Sequence, residues 1–182
     1  SASPNAARAL LKVYEKHRDS RRRSATVTAD RDKVELLDQA AGTVESVRRF
    51  LHENNNFFPQ LDAAAEHLSE DLLPSKREPH TALTTRLKER HGIRVRILPT
   101  DLMPQMLRFY DQHSRLINLS ELLPQSGRRF QLAFQIGMLE QRELIDDIVA
   151  SAKLPGREAE GLCRTNLANY FAAAALMPYT RF

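Results

Sequence analysis

The spacing of apolar residues changes along the chain, and each change predicts an element. From Pro4 to about residue 19, Ala6, Leu10, Leu11, Val13 and Tyr14 recur at roughly helical spacing, with Pro4 placed to open a helix. Residues 17–32, HRDSRRRSATVTADRD, are polar and basic and read as a linker. A long helix is expected from Asp32 to Glu53, with Val34, Leu37, Val44, Val47 and Leu51 facing inward, until NNNFFP stops it. Asp62 to Leu72 predicts a short Ala-rich helix ending before Pro74. From Thr81 the organisation is different. A helix to Arg90 closes at Gly92, RVRIL (94–98) alternates like a strand, and two further strands fall at 106–111 and 115–120, joined by a tight QHS connection in which His113 reads most plainly as a turn residue, with a hydrogen bonder or a ligand contact as the alternatives. Helices follow from near Pro124, from Arg142 to about Lys153, and from Arg157 to about Met177. The expected class is α+β: a helical N-terminal arm and linker (1–75), then a domain (76–182) with a small three-stranded sheet, antiparallel or mixed, packed on helices.

Composition narrows the function classes. The 182 residues are 42% hydrophobic and 27% charged, a globular balance rather than a disordered one. A net charge of +4 permits phosphate binding without announcing a nucleic-acid surface. The single cysteine, Cys163, cannot form an intrachain disulfide or a cysteine cluster, and its surroundings (Leu162, Asn166) suggest a buried small apolar residue. No segment approaches the roughly 18 apolar residues of a membrane span, and SASPNAARALL lacks the layout of a signal peptide. A cytoplasmic protein is expected. Both ends read as cuts, so the chain is expected to be the middle piece of a longer protein.

The chemistry is concentrated in RRFQLAFQIGMLEQ (128–141). Its frame is that of a helix bearing His-Glu-x-x-His, in which two imidazoles one turn apart converge on Zn²⁺ and the Glu activates a bound water. Phe134, Gln135 and Met138 occupy those three positions. Neither Phe nor Met supplies the needed lone pair, and an amide cannot act as the base. The third ligand of such sites often comes from a later helix, where TNLANYFAAAALMP (165–178) has Thr165 and Leu167. His52, His67, His80, His91 and His113 show no paired ligand spacing. Hydrolysis through this zinc site is excluded.

RRFQLAFQIGML followed some thirty residues later by LANYFAAAALMPY resembles the metallopeptidase-like domain of IrrE-type stress proteins. More specifically, it resembles the degenerate version in actinobacterial short-chain fatty acyl transcriptional regulators of propionate/methylcitrate and glyoxylate metabolism. HGIRVRIL, LRFYDQHSRLINLSELLPQSGRRF and FPQLDAAAEHL carry the same likeness, so it covers nearly the whole chain, most specifically over 108–137. The resemblance implies a degenerate zincin-like fold and a cytoplasmic, dimeric regulator with no enzyme activity. Its DNA-binding helix-turn-helix would precede this chain and a cysteine-containing segment would follow it. Any iron–sulfur cluster would belong to that later segment, so no cofactor is expected within the chain. The implied effector is a short-chain acyl-CoA, propionyl-CoA or acetyl-CoA.

For Phe134 and Met138 two readings stand together: core residues of an amphipathic helix, or the floor of a surviving cleft that receives an acyl tail. Gln135 is a candidate hydrogen bonder to a thioester carbonyl. The phosphates of coenzyme A need several Arg or Lys groups. Arg108 and Tyr110 share one face of their strand, the Tyr ring being a candidate to stack on adenine, and Arg129 opens the signature helix. Arg94, Arg96, Arg115, Arg128 and the Arg21–Arg23 run are further cations, for each of which a solvated surface charge is the plainer reading. Tyr170 lies beside the vacated third-ligand position. The expected acyl-CoA contacts are therefore Arg108, Tyr110, Arg129, Phe134, Gln135, Met138 and Tyr170, with no catalytic and no metal-binding residues. The competing reading is a ligand-free dimerisation or protein-interaction scaffold, which would fill the space around Gln135 with side chains.

Overall fold

The computed structural model describes residues 39–72 and 78–177, and the chain divides into two compact units, 1–46 and 47–182. The expected first helix, the basic linker, Val34 and Leu37 lie outside the described residues, as does the expected boundary at 75. Of the first unit, residues 39–46 are helical, and Thr43 Oγ1 bonds back to the Gln39 carbonyl at 3.0 Å. Val44, expected to face inward, is 49% exposed.

The second unit opens with a helical stretch (α1, residues 47–53), whose Val47 and Phe50 are buried. There follow α2 (Pro59–Leu72), α3 (Pro79–His91), β1 (Arg94–Leu98), β2 (Arg108–Asp111), β3 (Leu116–Ser120), α4 (Gln125–Glu140), α5 (Arg142–Ser151) and α6 (Gly156–Leu176). The turn after α1 puts Asn55 and Asn56 at positive φ, a conformation asparagine tolerates better than most residues. Helix α3 ends as its sequence predicts. Gly92 sits at φ 65°, its N–H reaches the Lys88 carbonyl, and the Ile93 N–H reaches that of Leu87, with both apolar side chains buried.

The sheet is mixed, in the order β1-β3-β2, with β1 parallel and β2 antiparallel to β3. β3 carries the apolar LINLS sequence and takes the central place, where Ile117 and Leu119 are completely buried. The second strand starts at Arg108 rather than 106. Arg115, expected in the third strand, lies instead in the turn at φ 50°. Asp111 closes that turn, accepting from the Ser114 hydroxyl at 2.8 Å and from the His113 N–H at 2.9 Å. Register decides which face of β2 points inward. Arg108 pairs with Leu119 and Tyr110 with Ile117, so these two polar residues share the face that the core uses.

Helix α6 is the central column and packs against α2, α4 and α5. Its Ala168, Ala172 and Ala175 are small enough to let neighbouring backbones close in, and Leu167 and Phe171 fill the remaining volume. α4 supplies Leu132, Ala133 and Ile136 to the same core, each fully buried. Burying a large side chain of this kind stabilises the fold by about 1.5–3 kcal/mol. Polar groups tie α3 to the end of α4. Arg86 Nε and Nη2 donate to the Glu140 carboxylate at 2.9 and 2.7 Å, Arg86 Nη1 to Asp71 at 2.8 Å, and His91 Nε2 stands 3.0 Å from Glu140.

Candidate functional site

The emptied signature lies along the inner side of α4. Phe134 is 9% exposed and Gln135 only 3%, while Met138, one turn on, is half-buried. Facing them is the edge strand β2, with Arg108 and Tyr110 pointing the same way. Between strand and helix lies a cavity of about 620 Å³, bordered also by Leu139, Ile145 and Gln112, with Arg142, Asp146 and Arg164 around it. That volume falls within the usual range of small-molecule sites.

Arg108 is the cation placed between the strand and the signature helix. Its guanidinium carbon stands 4.8 Å from the centre of the Phe134 ring, and Nη2 donates to Oε1 of Gln135. Stacking of this kind is worth about 0.5–2 kcal/mol. Arg108 Nε is buried with no hydrogen-bond partner, and no carboxylate pairs with the group among the described residues. Burial pushes the guanidinium pKa below its ordinary value. The other cations differ. Arg164 Nε bonds Asp146 Oδ1 at 2.6 Å, which raises its pKa, and Arg142 lies 3.7 Å from the same carboxylate with its side chain 80% exposed.

The seven expected contacts separate. Arg108, Tyr110, Phe134, Gln135 and Met138 all line the cavity. Arg129 instead ion-pairs with Glu78, just ahead of α3, and Tyr170 packs edge-on against Phe58, whose N–H reaches its hydroxyl at 3.4 Å. Neither borders the cavity. Of the vacated third-ligand positions, Leu167 is fully buried and Thr165 bonds back to Gly161 of its own helix. The α6 residue that reaches the cavity is their neighbour Arg164, which sequence reading missed along with Arg142 and Asp146. The i,i+4 spacing of Arg142 and Asp146 was the available signal.

A zinc ion does not fit here. Phe134 and Met138 are not zinc donors of the kind this helix frame uses, and no group of three or more His, Cys, Asp or Glu residues capable of holding a metal occurs among the described residues. Nor is any described helix long and apolar enough to cross a membrane.

The mixed three-stranded sheet on a signature helix, with apolar and amide side chains in place of ligands and base, defines a degenerate zincin-type domain. The chain belongs to the Peptidase_M78 family, the IrrE N-terminal-like domain, which matches residues 88–182. It is 32% identical to the HTH-type transcriptional regulator RamB of Mycobacterium tuberculosis over its whole length, covering 38% of that protein. It is 33% identical to the HTH-type transcriptional regulator PrpR of the same species, over 76% of this chain and 28% of PrpR. It is 30% identical to the propionyl-CoA carboxylase regulator of Cereibacter sphaeroides, over the whole chain and 38% of that protein. A solved Mycobacterium tuberculosis transcriptional regulator superposes with a TM-score of 0.70 at 34% identity, over 77% of this chain and 42% of the other. The chain thus spans less than two fifths of the length of these curated relatives.

Proposed function

We propose that this chain is the effector-sensing core of a bacterial transcriptional regulator of short-chain fatty acid metabolism, and that it binds a short-chain acyl-CoA in the cavity between β2 and α4. The observation that carries this reading is a cavity at the signature positions of α4, with an apolar floor, Phe134 and Met138, and arginines around it. The floor suits an acyl tail, Gln135 and Arg108 suit its polar end, and the largely exposed Arg142 suits a phosphate. A scaffold would have closed this space with side chains. The names of the relatives support regulation rather than hydrolysis. DNA contact and dimerisation belong, in this reading, to the whole cytoplasmic protein. Effector binding acts as a population shift, favouring one arrangement of the regulator over another by its difference in affinity.

Thermal unfolding of the 182-residue chain with propionyl-CoA, acetyl-CoA and free coenzyme A tests this. Ligand at a hundred times its Kd adds about 2.7 kcal/mol, and each kcal/mol raises the midpoint by roughly 2–4 °C at this length. A larger rise with the acyl thioesters than with free coenzyme A is expected. No rise with any of them overturns the proposal.

A further inference from the structure

The arginines of the cavity are not equivalent. Arg142 is largely exposed, and Arg164, a third exposed, already has Asp146 and Glu160 as partners. Arg108 is the deep one: its guanidinium lies on Phe134, beside the almost fully buried Gln135. Gln135 offers it one neutral carbonyl oxygen, and Nε is left unpartnered. A half-buried guanidinium with its Nε unpartnered and no carboxylate beside it among the described residues is costly, and its planar fork matches a carboxylate. An unsubstituted acyl chain would lay methyl and methylene groups against this cation and leave it unpaired. A chain ending in a carboxylate would pair with it, with its carbon stem kept on Phe134 and Met138.

We infer that the Arg108–Gln135 pair is a carboxylate seat, and that the ligand class of this cavity is a short carboxyacyl thioester rather than a simple acyl thioester. This rests on the reading of the cavity as an acyl-thioester site and narrows it. The Tyr110 phenol borders the same space and is a second donor for the carboxylate. The shared chemistry, a short chain ending in a carboxylate, also occurs in free dicarboxylic acids.

Calorimetric titration with matched pairs separates these cases: propionyl-CoA against methylmalonyl-CoA, acetyl-CoA against malonyl-CoA, and free methylmalonate alone. Each thioester pair differs by one carboxylate. The carboxylated member is expected to bind at least tenfold more tightly, and Arg108→Met to erase that difference, with Arg108→Lys keeping part of it. Equal or tighter binding of the uncarboxylated members overturns the inference and leaves acyl-thioester sensing in place. Methylmalonate binding as tightly as its thioester supports the seat but overturns the thioester as occupant. Failure of every thioester and of methylmalonate to bind overturns both readings.

Discussion

A β-carbon placed on Gly137 would stand 2.6 Å from Cδ1 of Phe171, so α4 and α6 approach as closely as a glycine allows. Phe171 is completely buried, and its ring cannot swing into solvent. Gly137→Ala is therefore expected to destabilise the fold by about 1–3 kcal/mol through overpacking, despite the better helix propensity of alanine. Gly161, within α6, faces open space: a β-carbon added there would meet nothing within 4 Å. Gly161→Ala should instead stabilise by about 0.4–1 kcal/mol. Thermal unfolding of the two variants should give midpoint shifts of opposite sign.

The sheet and the helices after Thr81 were legible because their periods are clean. RVRIL alternates, Gly92 stands where a helix must stop, and LINLS is the most apolar strand and takes the centre. The signature positions 134, 135 and 138 located the cavity because a known ligand spacing fixes one helix face. Sequence could not place Arg164 there, since its approach depends on how α6 crosses α4. Nor could it send Arg129 to Glu78, a pairing across 51 residues that only the packing of α3 beside α4 creates. That Arg108 and Tyr110 share a face was legible from the strand period, but that this face is the inner one follows only from register, which pairs them with the buried Leu119 and Ile117.

Glu140 links stability to pH. Burial raises its pKa, but hydrogen bonds from Arg86 and His91 outweigh that and hold it below the ordinary value of 4.5. A carboxylate with a lowered folded pKa contributes stability that is present above the unfolded pKa and lost as pH falls through the folded one. Stability should therefore hold above about pH 4.5 and decline below it. Glu140→Gln should cost about 1.5–3 kcal/mol near neutral pH and flatten that acid decline. Arg86 keeps Asp71 in the variant, so the fold survives to be measured. Urea unfolding at a series of pH values from neutral down to about one unit below the ordinary carboxylate value reads both effects.

Cys163 is fully buried on α6, and burial pushes its thiol up to about 11. Since the thiolate is the reactive form, the folded protein should resist alkylation by iodoacetamide at about pH 8 and react fully once unfolded in guanidinium. Labelling followed by intact mass measurement distinguishes the two states. Rapid modification of the folded chain would place Cys163 in a far more open environment than the α6 core.

Returning a carboxylate to the signature is the sharpest test of what the vacated site has become. Gln135→Glu restores the general base of a metallopeptidase helix in name, yet Phe134 and Met138 still leave a zinc ion without its two imidazoles. The new carboxylate would instead stand where Gln135 Oε1 accepts from Arg108, and would supply the counter-charge that guanidinium lacks. The pair forms within the fold, so the variant should remain folded, with a midpoint equal to or above that of the parent. Its affinity for methylmalonyl-CoA should fall at least tenfold, because the internal carboxylate fills the seat of the external one. Metal analysis after dialysis against zinc should find no stoichiometric uptake. Zinc bound one to one, with peptidase activity, would mean that donors other than those on α4 complete a metal site, and the sensing account of this cavity would fail with it.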